Sequence, residues 1–306
     1  MKALVTGGAG FIGSNLTDEL IKKGYEVTIL DNLTTGLREN LNPAAKLFEA
    51  DIRNLRAIRP AFVGIDYVFH LAALPRVQLS IDDPLTSNDI NINGTLNVLI
   101  AARDAKVKKL IYSASSSAYG NQETMPLTEN LLPAPISPYA VQKYVGEHYT
   151  RNFFVLYGLP TVSLRYFNVY GPRLALAGGY VTVISVFLQA LRDGKKLTIT
   201  GDGTQTRDFT YVGDIVRANI MAAESANVGQ GEMMNIGGGH NYSVNDIADK
   251  IGGEKEYIAL RIEPHDTLAD ILQAKELIGW QPQVNMDEGL ANTIKWFEEK
   301  FNCKIK

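Results

Sequence analysis

Residues 2–13 read KALVTGGAGFIG. Lys2–Thr6 is a short apolar run of the kind that forms a buried strand. A glycine-rich turn follows, and from Phe11 to about Lys23 apolar residues recur at helical spacing. In a strand–turn–helix unit, Gly7, Gly10 and Gly13 let a dinucleotide pyrophosphate approach the backbone. The helix N-terminus then supplies free N–H groups and the positive end of its dipole. Working outward, Glu26–Leu30 reads as a second strand ending at Asp31. A carboxylate there accepts hydrogen bonds from both adenosine ribose hydroxyls and repels a 2′-phosphate, which favours NAD over NADP. Arg38, nearby in sequence, leaves NADP open.

Further strands are expected at Tyr67–His70, Lys109–Ser113 and Thr161–Tyr166, with helical periodicity over Ile90–Ala102. Ser137-Pro138 opens another helix: serine is a good N-cap and proline suits the first helical position. Strands alternating with helices predict an α/β fold, a Rossmann-type doubly wound parallel sheet. Beyond about Gly171 the alternation loosens. The expectation is a cofactor-binding domain over residues 1–170 and a smaller, mainly substrate-binding portion over residues 171–306, with segments interleaved.

Tyr139 and Lys143 are four residues apart on the helix that Ser137 opens, so they project from one face. An ammonium beside a phenol favours the phenolate, giving a tyrosine able to exchange a proton with an alcohol near neutral pH. Lysine at this spacing can also hold a nicotinamide ribose. The serine run Ser113-Ala114-Ser115-Ser116-Ser117 stands at a strand's carboxyl end, where such folds bind ligands.

The bulk composition narrows the classes. With 306 residues, 45% hydrophobic and 21% charged, the chain can bury a substantial core. A net charge of -3 argues against a nucleic-acid binder. The one cysteine, Cys303, allows no internal disulfide and fits a reducing compartment. The first glycine, at position 7, leaves no room for a signal-peptide apolar region, and no apolar run is long enough to span a bilayer. A cytoplasmic protein with no membrane partner is expected. The histidines show no metal-ligand spacing, and no metal is expected.

Taken together, these stretches resemble the extended short-chain dehydrogenase/reductase family acting on nucleotide sugars, and most of all its UDP-glucose/UDP-galactose 4-epimerases. The resemblance runs through TGGAGFIGSNL (residues 6–16), DNLTTG (31–36), HLAA (70–73), NINGT (91–95), SPYAVQK (137–143), RYFNVYGPR (165–173), GDGTQTRDF (201–209) and ADILQAKELIGWQP (269–282). It implies NAD as the cofactor and a UDP-sugar as the substrate. Asp51 and Ile52 should contact adenine, and Ala72, Ala73 and Asn91 should line the cofactor path. Phe11, Ile12, Asn32, Thr35, Gly36, Leu71, Ser113 and Tyr166 complete that site. Ser115 should hydrogen-bond the reacting 4-hydroxyl, Asn168 should bind phosphate or sugar, and Arg207 should clamp the diphosphate. Tyr139 and Lys143 take the catalytic roles described above.

Related dehydratases and decarboxylases need acids within the serine segment, where this chain has Ser116 and Ser117. Oxidation at C4 and re-reduction is the chemistry that remains. Three departures from the family pattern concern the substrate. Leu260 occupies the position of a usual arginine, making Arg261 a candidate second diphosphate ligand. After Arg173 the chain reads LALAGG, less polar than usual. Thr267 stands where some members carry a bulky tyrosine, which leaves room for an N-acetyl group. Arg76 is a further candidate at the sugar. The resemblance also implies a homodimer paired through helices near Ile90–Ala102 and Tyr139–Phe154. Rival readings are another nucleotide-sugar epimerase or reductase, and a non-catalytic cofactor sensor. The presence of both Tyr139 and Lys143 counts against the sensor.

Overall fold

The computed structural model describes residues 1–176, 182–259 and 265–305. Seven strands form one parallel sheet: β1 (Lys2–Thr6), β2 (Glu26–Asp31), β3 (Lys46–Glu49), β4 (Tyr67–His70), β5 (Lys109–Ser115), β6 (Thr161–Tyr166) and β7 (Gln230–Ile236). Their order across the sheet is β7-β6-β5-β4-β1-β2-β3. The main helices are α1 (Phe11–Lys22), α2 (Gly94–Asp104), α3 (Pro138–Tyr157), α4 (Val183–Arg192), α5 (Val212–Glu224), α6 (Val244–Ile251) and α7 (Met286–Phe301).

The central strands read as unbroken apolar runs because both faces of the sheet are covered. Alternation divides their side chains between the faces. Ala3 and Val5 pack with Leu16 and Leu20 of α1 and with α5, while Leu4 packs on the other face with Val98 and Leu99 of α2. A separate apolar cluster joins Ile184 and Phe187 of α4, Ile247 of α6 and Phe297 of α7.

From β1 the chain winds outward through β2 and β3, then returns to the other side of β1 to build β4 to β7. Loops leaving the carboxyl ends of β1 and β4 therefore diverge, and a crevice opens between them. Thr6 lies opposite both Leu30 and His70, so these strand ends stand level at the crevice.

The seven-stranded sheet has two strands beyond those expected, and one of the expected strands is longer. β3 is a four-residue edge strand with a mixed sequence, too short to show periodicity. β7 comes from beyond residue 171 yet pairs with β6. β5 runs on to Ser115, which brings the first serines of the serine run into the sheet. A single π-helical turn, Asp89–Asn93, leads into α2. Ser137 caps α3 by accepting from the Ala140 N–H, with Pro138 in the first turn, and Gly158 ends the helix at φ 66°.

Candidate active site

The crevice at the carboxyl ends of the strands is a cleft of about 530 Å³. The glycine turn forms its floor. Gly7 has φ +72°, and a β-carbon there would lie 2.8 Å from the Ala72 amide nitrogen. At Gly13 a β-carbon would lie 2.2 Å from the Gly7 carbonyl oxygen, so α1 can start this close to the turn only with glycine. Gly10 caps α1 without a side chain, and no acidic residue occupies the first helical turn. A helix start of this kind suits an anionic group.

Asp31 sits at the end of β2, 9% exposed. One of its carboxylate oxygens accepts from the Ala9 N–H (3.0 Å), the other from the Leu33 N–H (2.8 Å). Each oxygen keeps a lone pair for a ligand hydroxyl. A β-carbon at Gly36 would come within 3.0 Å of both oxygens, so the chain closes around this carboxylate only with glycine there. Arg38, which left NADP open, pairs with Glu49 at 2.7 Å. Asp51 accepts from Asn32 Nδ2 (2.9 Å) and Arg53 Nη2 (2.8 Å), and the Arg53 hydrogen bond is the main cause of a carboxyl pulled down to about 2. Glycines that permit close approach, a helix start with no side-chain cap and a carboxylate with lone pairs to spare together fit NAD, which Gly7–Gly13, Asp31 and Asn32 could hold at its adenosine and pyrophosphate end. Phe11, Ile12, Thr35, Gly36, Ile52, Leu71, Ala72 and Ala73 line the same stretch.

Thr6 and His70 fix the opposite wall. Thr6 Oγ1 accepts from the Leu71 and Ala72 N–H groups, both at 3.1 Å, and lies 2.7 Å from His70 Nδ1. His70 Nε2 lies 2.9 Å from Thr95 Oγ1, whose own proton goes to the Asn91 carbonyl. The imidazole therefore carries its proton on Nε2 and accepts from Thr6 on Nδ1. Burial drives its pKa down to about 3, with the Lys143 charge adding to the shift.

Lys143 is 4% exposed and donates from Nζ to the Ser113 carbonyl at 2.7 Å. Its Nζ also lies 5.0 Å from the Tyr112 ring centroid. Burial pushes its pKa down to about 8, against the opposing pull of Glu147 one turn further along α3. Tyr139, one turn before Lys143, lines the cleft with its backbone N–H held by Ser80 Oγ (3.1 Å). Ser115 Oγ accepts from the Ser117 N–H (3.2 Å) and from Ser117 Oγ (2.9 Å), which leaves the Ser115 proton to be donated elsewhere. Tyr166 donates to Asn219 Oδ1 at 2.9 Å beneath this region.

The far end of the cleft is lined by Asn168, Arg207, Thr267 and Leu127. Asn168 has φ 23° and donates to the Asp208 carbonyl at 2.9 Å. Arg207 donates from Nη1 to the Thr206 and His265 carbonyls, both at 2.9 Å. Asp208 anchors this wall: its buried carboxylate accepts from the N–H groups of Gly238, Gly239 and Ala269.

Most of the residues expected from sequence therefore meet in one cleft, including Ser113, Ser115, Tyr139, Lys143 and Tyr166. Asn91 stands one layer back from these residues. It lies behind the wall, 2% exposed, exchanging hydrogen bonds with the Leu74 backbone and donating to Gln142, so its amide braces the lining instead of forming it. Arg76 falls between the lining residues Pro75 and Val77 but does not itself line the cleft. Arg261 lies outside the described residues. Sequence reading missed Ser117, Leu127 and Asp208. Ser117 was visible in the serine run, whereas the other two act through contacts distant in sequence.

Residues 3–237 match the NAD dependent epimerase/dehydratase family. The chain is 40% identical to a UDP-glucose 4-epimerase of Thermotoga maritima solved with UDP-glucose, covering 98% of this chain and 100% of that one with a TM-score of 0.93. It is 38% identical to a UDP-N-acetylglucosamine 4-epimerase of Methanobrevibacter ruminantium solved with UDP-N-acetylmuramic acid, covering 98% of each chain with a TM-score of 0.92. A UDP-glucuronate 4-epimerase of Thermodesulfobacterium geofontis is 37% identical over 97% of this chain and 96% of its own length. No helix among the described residues is long and apolar enough to cross a membrane.

Proposed function

The chain belongs to the NAD-dependent epimerase/dehydratase family, and from that premise we propose that it is a UDP-sugar 4-epimerase interconverting UDP-glucose and UDP-galactose. The observation that carries this reading is the distribution of acids in the cleft. Among the described residues, the only carboxylates lining it are Asp31 and Asp51, both at the adenosine end. Elimination of water or loss of a carboxylate would call for further acid–base groups near the sugar; Ser115, Ser116 and Ser117 stand there instead.

In this reading Tyr139 takes the proton of the sugar 4-hydroxyl, and Ser115 donates its free proton to the same oxygen. Lys143, fixed to Ser113, supplies the positive charge that favours a phenolate at Tyr139. Bound NAD supplies the reversible hydride acceptor. The 4-keto sugar turns within the cleft, and Tyr139 returns the proton on re-reduction. Arg207 and Asn168 hold the diphosphate while the sugar turns. Residues 171–306 supply Arg207 and Thr267, in keeping with a mainly substrate-binding role for that portion.

Thr267 is a small lining residue, and with it UDP-N-acetylhexosamines are accepted as well. We read the protein as a homodimer joined through α2 and α3. Exposed Val141, Val155 and Leu156 on α3 support that pairing, and light scattering tests it. Proton NMR of the protein with UDP-galactose or UDP-GalNAc, without added reductant, tests the activity. Growth of gluco anomeric signals is expected. Two unchanged substrates in a folded, NAD-loaded sample would favour the reductase alternative or another sugar.

A further inference from the structure

We propose that Asn235 is a positioning residue that sets the sugar-side wall of the cleft relative to the helix carrying Tyr139 and Lys143. Asn235 is the penultimate residue of β7 and is fully buried. Its Nδ2 donates to the Leu127 carbonyl (2.9 Å) and the Asp270 carbonyl (3.2 Å), and its Oδ1 accepts from the Tyr119 hydroxyl (2.8 Å). Its backbone N–H donates to Glu129 Oε1 at 2.8 Å. One amide therefore joins the segment after β5, the strap containing Leu127 and Glu129, and the segment leading from Thr267 to Asp270.

The chemistry at this point requires an amide. Two carbonyl oxygens face Asn235 and need donors, while one hydroxyl needs an acceptor. Aspartate would turn an oxygen towards the carbonyls, and an apolar residue would take this partner from the Asp270 carbonyl and the Tyr119 hydroxyl and leave the Leu127 carbonyl with only the Asp270 N–H, which is costly in a buried site. The two wall segments also bind each other directly. The Leu127 N–H donates to the Leu268 carbonyl (2.7 Å), and the Asp270 N–H donates to the Leu127 carbonyl (2.9 Å). Leu127 and Thr267 both line the cleft; the amide bonds the first directly and reaches the second through Asp270, three residues further on.

On the other side, Asn235 is linked to the helix that carries the reacting groups. The Arg165 guanidinium lies over the Tyr119 ring at 4.5 Å and forms a buried two-point ion pair with Glu147, at 2.8 and 2.7 Å. Glu147 follows Lys143 by one turn of α3. The column Glu147–Arg165–Tyr119–Asn235 thus runs from the helix to the sugar-side wall through buried groups.

This inference rests on the nucleotide-sugar reading of the cleft, so the test uses separate readouts. In Asn235→Ala, the Kd for UDP and the KM for UDP-galactose should rise about tenfold, with kcat within threefold and the Kd for NAD within twofold. Amide hydrogen exchange should quicken in residues 121–136 and 265–271 and stay unchanged in β1 and α1. Tyr119→Phe, which removes one hydroxyl, should shift the same readouts in the same direction by less, and it decides the matter if Asn235→Ala does not fold. Equal weakening of NAD and UDP, or exchange quickened evenly through the fold, would overturn the positioning role. Unaltered exchange in the two wall segments would overturn it too. If the unmodified protein binds no UDP, the nucleotide-sugar reading fails, and the exchange pattern alone still decides for or against Asn235.

Discussion

Lys143 donates to the Ser113 carbonyl at 2.7 Å, which ties the second turn of α3 to the carboxyl end of β5. The tether fixes Tyr139, one turn earlier, over the same strand end. Tyr139→Phe should lower turnover by about 10²–10⁴-fold while leaving NAD bound, as expected for loss of a proton-transfer group. Lys143→Met should lower turnover by a similar factor and weaken NAD binding as well. Rate measurements paired with NAD titration separate the two roles. Because burial brings Lys143 down to about 8, its ammonium is lost above that pH, and kcat/KM should fall on the alkaline side with an apparent pKa near 8.

Gly13→Ala should be far more harmful than its single methyl suggests. The new β-carbon would meet the Gly7 carbonyl oxygen at 2.2 Å, and backbone on both sides of the contact leaves no flexible side chain to give way. The start of α1 must move away from the turn. NAD affinity should fall at least tenfold by titration, and stability should drop by about 1–3 kcal/mol in urea unfolding.

The glycine turn and the Tyr139–Lys143 pair were legible in sequence because each lies within one or two adjacent elements, where spacing alone fixes geometry. Ser137-Pro138 marked the start of α3 for the same reason. Asn235 was not legible: its partners Glu129, Tyr119, Leu127 and Asp270 lie 35 to 116 residues away, and only the pairing of β7 with β6 brings them together. Asn91 shows the opposite limit of a local motif. Its motif is intact, but its amide faces the Leu74 backbone and Gln142. β3 escaped notice because four residues at a sheet edge bury too little to impose a pattern.

His70 should make the protein sensitive to mild acid. Its folded pKa of about 3 lies below the ordinary value of 6.5, so the unfolded chain takes up this proton first. Its contribution to stability is therefore lost as pH falls from about 6.5 towards 3, at no more than about 1.4 kcal/mol per pH unit. Urea midpoints at pH 7 and pH 5 should diverge in the unmodified protein. In His70→Gln that part of the difference should vanish, although the variant should be less stable at pH 7.

Thr267→Tyr should narrow the substrate range. A ring at this position fills the space assigned to an N-acetyl group, so turnover of UDP-GalNAc should fall at least tenfold while that of UDP-galactose changes by less than threefold. Thr267 Oγ1 also accepts from the Asp208 N–H at 3.3 Å. Thr267→Val removes that acceptor at nearly constant size and should leave the ratio of the two rates unchanged. A ratio altered equally by both substitutions would assign the effect to the hydrogen bond instead of to size.

The pairing of β7 with β6 also bears on the order in which the protein is made. The first six strands of the sheet are complete by Tyr166, but the strand that covers β6 ends only at Ile236. During synthesis, β6 must wait with its hydrogen-bonding edge uncovered while some seventy further residues leave the ribosome. An isolated fragment of residues 1–170 would keep that edge open permanently, and an apolar, uncovered strand is a template for association with other chains. Expression of such a fragment should yield aggregates, whereas a fragment ending beyond Ile236 carries its own cover.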